Sequence, residues 1–288
     1  MLINSCTNGD DLPGQSAAIV EIDLSGPVTF SRDVAPIIWD NCAICHRPAG
    51  FAPFSLLTYE EVSTHAEEIA IAVEDRHMPP WLPEPGYGSF LGDRRLSDKK
   101  LEMILRWVSE GAIEGDPAAL KELPSFSDGW QLGEPDLVVE MPEKFTLAPG
   151  SGDVFRNFVV PTPVGPRRYV HTVELHPGNS KVVHHAVLMI DESRSSRELD
   201  QQDPDVGYYT GMDSSGGAHS PAGQFLGWTP GLVPRRGEEN LAWGLRGGTD
   251  FVLQLHMLPG SEFEDLRASI GLYFADRPPK EQAYALRL

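Results

Sequence analysis

Residues 42–46 read Cys-Ala-Ile-Cys-His (CAICH), and that pentapeptide decides how the first third of the chain is built. C-x-x-C-H is the spacing of c-type haem attachment. Two thiols separated by two residues can each bond a haem vinyl group, and the adjacent histidine then faces the iron as proximal ligand. The motif therefore implies haem c held by Cys42, Cys45 and His46, electron transfer, and maturation outside the cytoplasm. The competing reading is half of a zinc site. Structural zinc takes four protein ligands, and the only other cysteine is the distant Cys6.

Helical patterns flank the motif. One segment, Asp33–Asn41, follows Ser31 as N-cap and runs straight into Cys42. A second starts at Thr58, where Glu61 completes a capping box, and Val62, Ala66, Ile69, Ala70 and Val73 mark one face. A third follows Ser97, with Leu101, Ile104, Leu105 and Val108 at helical spacing and Gly111 as its stop. Three helices around one C-x-x-C-H predict a small all-α cytochrome c domain over residues 26–117, with haem replacing much of the core.

The distal iron ligand is sought in the Pro-rich loop between the second and third helices, MPPWLPEPGYG (78–88). A residue before proline is held extended, so Met78 is presented on a stiff loop, and methionine ligation raises a haem potential. His77 and then His65 are the competitors. Residues 1–25 carry Asn, Gly, Asp, Ser and Pro without periodicity and read as a disordered tail or signal remnant. Cys6, in LINSC, matches the end of a lipoprotein signal that lacks its basic and apolar regions. A lipid anchor and a plain tail cysteine both stand.

At 288 residues the chain exceeds a typical single domain. Its 42 acidic residues against 23 basic ones give a net charge of −19. That balance argues against a nucleic-acid partner, which needs clustered Lys and Arg, and suits the steering of a basic redox partner. No apolar run is long enough to span a membrane.

Pro117, Pro124, Ser125, Ser127, Asp128 and Gly129 break any helix, marking a linker at residues 118–133. From residue 134 to 288, β-branched and aromatic runs dominate: 136–141, 154–161, 167–175, 181–190, 251–258 and 269–274. Several short strands without long helical patterns predict an antiparallel β-sandwich, jelly-roll-like, so the whole is an α + β multidomain chain. Residues 193–248, rich in Gly and Pro, are expected to form long loops.

Three histidines lie inside apolar strand runs: His184 and His185 in KVVHHAVLMI, and His256 in LQLHM. Burying an unpartnered imidazole is costly, and a shared metal removes that cost. The ordinary alternative is a histidine bonded to a carbonyl. Successive strand residues point to opposite faces, so His184 and His185 reach one metal only through a bulge, a twist or different ring nitrogens. Spacing leaves copper and zinc both open. His171, His176 and His219 read as structural.

Two resemblances sharpen these expectations. The segment TFSRDVAPIIWDNCAICHRPAGFAPFSLLTYEEV, with MPPW, YGSFLGDRRLS and WVSEGA downstream, resembles the cytochrome c modules fused to larger bacterial periplasmic redox proteins. ELHPGNSKVVHHAVLMID and GWTPGLVPRRGEENLAWGLRGGTDFVLQLHMLPG resemble the copper type II, ascorbate-dependent monooxygenases. That family includes peptidylglycine α-hydroxylating monooxygenase and dopamine β-monooxygenase. By position, the resemblance makes His184, His185 and His256 the ligands of the electron-delivering copper.

The family also carries a second sandwich domain, with a His-x-His pair and a methionine for the copper that activates oxygen. No histidine follows His256 here. The resemblance thus implies an oxidoreductase, periplasmic or lipid-anchored, in which haem c passes electrons from a periplasmic donor to a three-histidine copper. This chain would be the electron-delivering half of a monooxygenase that uses O2 on C–H bonds of a small organic or peptide substrate. The alternative is an electron-transfer cytochrome with a β-sandwich binding module and no copper.

Overall fold

The computed structural model describes residues 26–281 and 283, apart from 49, 51, 91, 127–128, 151, 212–215 and 223. Cys6 and the tail lie outside the described residues. The chain divides into two compact units: the residues up to Cys42 with Leu56–Leu123, and Ala43–Ser55 with the residues from Pro124 onward.

In the first unit a π-helical turn, Phe30–Val34, leads directly into α1 (Ala35–Asn41). The helix therefore begins before the expected Ser31 cap. Ser31 is buried inside the turn, and the Asp33 carboxylate instead accepts from the Thr29 N–H at 2.8 Å. The Thr58–Glu61 capping box is present: Glu61 N donates to Thr58 Oγ1, and Thr58 N donates to Glu61 Oε2. It opens α2 (Tyr59–Thr64), and the chain breaks at His65 before continuing as α3 (Ala66–Glu74). The apolar stripe survives the break, since Val62, Ala66, Ile69 and Val73 are all buried.

Ser97 caps α4 (Asp98–Ser109), and Gly111, at φ 96°, ends it. The buried face of α4 is Met103, Ile104 and Trp107, while Leu101, Leu105 and Val108 are half-buried. Trp107 sets that rotation. Its ring packs 6.2 Å from Phe30, and its Nε1–H donates to the Ile113 carbonyl at 3.0 Å.

The second unit carries ten strands among the described residues. They are β1 (Leu137–Glu140), β2 (Phe145–Leu147), β3 (Val154–Pro161), β4 (Arg168–His176) and β5 (Val183–Asp191). After α5 (Ser195–Gln202) come β6 (Leu226–Trp228), β7 (Trp243–Leu245), β8 (Asp250–Met257), β9 (Glu264–Leu266) and β10 (Ser269–Phe274). The six longer strands fall on the six predicted runs. The three-residue strands and α5 lack a sequence signal, and α5, β6 and β7 lie where loops were expected.

All pairings are antiparallel. The sheets run β1-β10-β4-β7 and β3-β8-β5-β6, with β2-β9 as a separate ribbon. The fold is α+β, with β structure concentrated in this unit.

Strand alternation assigns the two faces of the β3-β8-β5-β6 sheet. Phe158, Leu253 and Leu188, then Val160, Phe251 and Ile190, point into the main core with Val139, Val170, Leu245, Ile270 and Leu272 from the other sheet. Each such buried side chain is worth about 1.5–3 kcal/mol. The opposite face is apolar at one end, where Val159, Val252 and Met189 pack with Tyr208 and Ala218. Two residues along come Asn157, Gln254 and Val187, and two further along Phe155, His256 and His185. The histidines thus sit on the outward face of a sheet whose inward face is fully packed.

The turn after β5 is fixed by Asp191. Its carboxylate accepts from Ser193 N, Arg194 N and Ser196 N at 2.8–3.0 Å. Burial works to raise its pKa, but the hydrogen bonds from Ser193 and Ser196 prevail and hold it at about 2. Among the described residues no helix is long and apolar enough to cross a membrane.

Candidate metal centre

β5 and β8 run antiparallel with His185 opposite His256. Between Val183, opposite Met257, and His185, opposite His256, the register shifts, leaving His184 as the extra residue of a bulge. A bulge re-aims a side chain that would otherwise face away, and here it turns two successive histidines to one point. His184 Nδ1 and His256 Nδ1 each lie 3.2 Å from His185 Nδ1. Ligand nitrogens of all three fall within 4.8 Å of one another, the one such group among the described residues.

Those nitrogens cannot satisfy each other. A neutral imidazole nitrogen carries either one proton or one lone pair, so the Nδ1 of His185 makes at most one well-directed bond with its two neighbours. A metal ion removes the conflict by accepting all three lone pairs. Two ligands about 2.0–2.1 Å from a metal at a near-tetrahedral angle stand about 3.3 Å apart, close to the spacing found here. Burial, followed by the neighbouring His256 and His184, pushes the His185 pKa below its ordinary 6.5 and keeps its lone pair available.

The centre is open on one side. His184 is exposed, His185 half-buried and His256 buried. With three histidines and one exposed ligand it has the form of a site with an open coordination position rather than a closed four-ligand one.

His256 is the best supported of the three. The Phe155 ring stacks on it, 4.1 Å between centroids and 8° from parallel. Its Nε2 is buried and 3.0 Å from Asp153 Oδ2, though off the line of an aligned hydrogen bond. Neither Asp153 nor Phe155 is among the sequence-level candidates. The usable signal was the register, because Phe155 pairs with His256. Further along the same face, Gln254 Nε2 donates to Asn157 Oδ1, and Asn157 Nδ2 donates to Thr210 Oγ1.

The remaining histidines of this unit have local partners. His171 Nδ1 is 2.7 Å from Thr172 Oγ1, and His219 Nδ1 is 2.9 Å from the Ser220 carbonyl. His176 stacks on Trp130, with its Nε2 3.2 Å from the buried Glu174 carboxylate. The same carboxylate accepts from Gln131 N and the Tyr273 hydroxyl. Burial, then the Glu174 charge, pushes Tyr273 up to about 12.

The haem-motif residues are placed as follows. Cys42 caps the C-terminus of α1, its N–H donating to the Ile38 carbonyl at 2.7 Å. Cys42 and Cys45 are half-buried. His46 Nδ1 is 3.2 Å from the Phe54 carbonyl, and the two rings lie 4.8 Å apart. A proton on Nδ1 donated to that carbonyl places the ring lone pair on Nε2, the arrangement of a metal-ligating histidine. Met78 is 44% exposed on a loop that also exposes Leu82, Tyr87 and Phe90. His77 is exposed, 4.0 Å from Asp75, and His65 Nδ1 bonds Glu68 at 2.8 Å. No known protein-family model matches the chain, and no curated protein does either.

Proposed function

We propose that the protein is an extracytoplasmic oxidoreductase that holds haem c at Cys42, Cys45 and His46 and copper at His184, His185 and His256. The observation that carries the copper half is the convergence of three Nδ1 atoms on one point, 3.2 Å from His185 Nδ1 in two cases. Bound there, copper supplies one-electron chemistry. The three imidazoles contribute neutral nitrogen ligands, and burial with the neighbouring His256 and His184 lowers the His185 pKa, which favours its unprotonated form. Imidazole sets suit copper and zinc alike, and copper is preferred on the resemblance of both histidine segments to the copper monooxygenases.

The haem half rests on the motif. Support comes from the His46–Phe54 contact, in which an Nδ1–H donated to the carbonyl leaves the lone pair on Nε2. Met78 is the proposed distal ligand. It stands on a loop with an exposed apolar surface at Leu82, Tyr87 and Phe90, the kind of surface a haem face covers. In this account residues 26–117 form a cytochrome c domain and residues 134–288 a jelly-roll-like sandwich. Electrons pass from a periplasmic donor through haem to copper, in service of O2-dependent hydroxylation of a small organic or peptide substrate.

Stopped-flow reoxidation of reduced haem tests the coupling. The copper-loaded protein is expected to reoxidise haem faster than a His256→Ala variant treated identically. Equal rates would remove the electron-delivering role and leave a cytochrome joined to a binding module.

A further inference from the structure

The buried Nε2 of His256 is the one ring nitrogen of the triad that stands beside a carboxylate, and nothing in the sequence motif accounts for that neighbour. We propose that Asp153 and Phe155 together position His256, fixing the ring plane and the tautomer in which Nε2 bears the proton and Nδ1 the lone pair. The inference rests on the metal reading of the triad and extends it to residues that touch no metal.

Three observations converge on one ring. First, His256 Nε2 is buried without an aligned hydrogen bond, a condition that is costly unless a partner is found. Second, Asp153 Oδ2 lies 3.0 Å from that nitrogen, on a side chain that is 59% exposed and so able to turn into line. An ionised carboxylate only accepts, so a bond to it requires the proton on Nε2. Third, Phe155, two residues along from Asp153, lies nearly parallel to the imidazole at 4.1 Å and opposes rotation about the ring's bond to the chain. Phe155 is fixed in register opposite His256, and Asp153 directly precedes β3. One strand therefore delivers both supports.

The consequence is chemical. With Nε2 protonated, Nδ1 is the basic nitrogen, and Nδ1 is the atom found 3.2 Å from His185 Nδ1. A carboxylate on the far nitrogen also raises ligand basicity, and loss of such partners typically costs about 10–100-fold in metal affinity.

The test has one readout that needs no metal. In the full chain without copper, 15N chemical shifts of the His256 ring report its tautomer directly. The wild type is expected to show Nε2–H alone, Asp153→Ala a mixture with Nδ1–H, and Asp153→Asn, which keeps a carbonyl acceptor, an intermediate state. Titration with copper ion is expected to show about a 10–100-fold loss of affinity for Asp153→Ala and a smaller loss for Asp153→Asn. An unchanged His256 tautomer in Asp153→Ala overturns the proposal, even if affinity falls, because the carboxylate would then act only through its charge. A wild type that shows the Asp153-dependent tautomer but binds no copper overturns the metal reading and leaves the positioning role standing.

Discussion

His185 and His256 face each other in register across β5 and β8, with their Nδ1 atoms 3.2 Å apart. In an antiparallel ladder such a pair shares a face, so the strand pairing alone brings two ligands together. The bulge adds the third, because His184 occupies the extra position between Val183 and His185. The rigidity comes from below, where Leu188, Leu253, Phe251 and Leu255 lock the same strands into the core.

Deleting His184 is expected to restore a regular β5–β8 ladder while destroying the centre. The variant should unfold within about 1 kcal/mol of wild type, because the bulge residue is exposed. It should bind copper at least about 100-fold more weakly, lacking a ligand. Chemical denaturation and copper titration on the same preparation check both halves.

His185 is expected to titrate below pH 6.5 in the copper-free protein, since burial and its two histidine neighbours disfavour its charge. The unfolded chain then binds the proton more readily than the folded one. Copper-free stability should therefore fall as pH drops from 6.5 through the folded pKa, and bound copper should offset that loss. NMR titration of the His185 ring, together with melting curves from pH 7.5 to 5, reads the effect. A His185 pKa at or above 6.5 contradicts it.

Asp191 should matter to stability and not to metal. Titrating at about 2 rather than 3.8, it contributes about 2 kcal/mol that is fully present above pH 4 and lost as pH falls through 2. Asp191→Ala is expected to cost at least about 2 kcal/mol at pH 7, since it also leaves the Ser193, Arg194 and Ser196 N–H groups without their acceptor. Denaturant unfolding measures the loss, and copper affinity of the folded variant should stay within about twofold.

Met78→Leu is expected to lower the haem potential and alter its absorption spectrum, with copper binding unchanged. An unaltered spectrum would transfer the distal role to another side chain, His77 being the first to substitute.

Much of the second unit was legible because its long strands are rich in β-branched and aromatic residues: the runs around Val159, Val187 and Val252 each coincide with a strand. The three-residue strands were invisible, since Phe145–Leu147 and Glu264–Leu266 are too short to show a period. The α5 helix begins in an Asp-Glu-Ser-Arg-Ser-Ser run that reads as a loop, and only the burial of Asp191 turns those serines into a helix start. For the metal centre, sequence supplied the three histidines and the geometric objection to His184. The bulge that answers the objection depends on pairing with β8, which no local pattern encodes. Asp153 and Phe155 were missed for the same reason, as their relation to His256 exists only across strands.

The most direct measurement is the iron and copper content of the full chain, matured in cells with haem-attachment machinery and supplied with copper. One iron and one copper per chain are predicted. Iron without copper would contradict the central claim and reduce the triad of His184, His185 and His256 to a structural cluster.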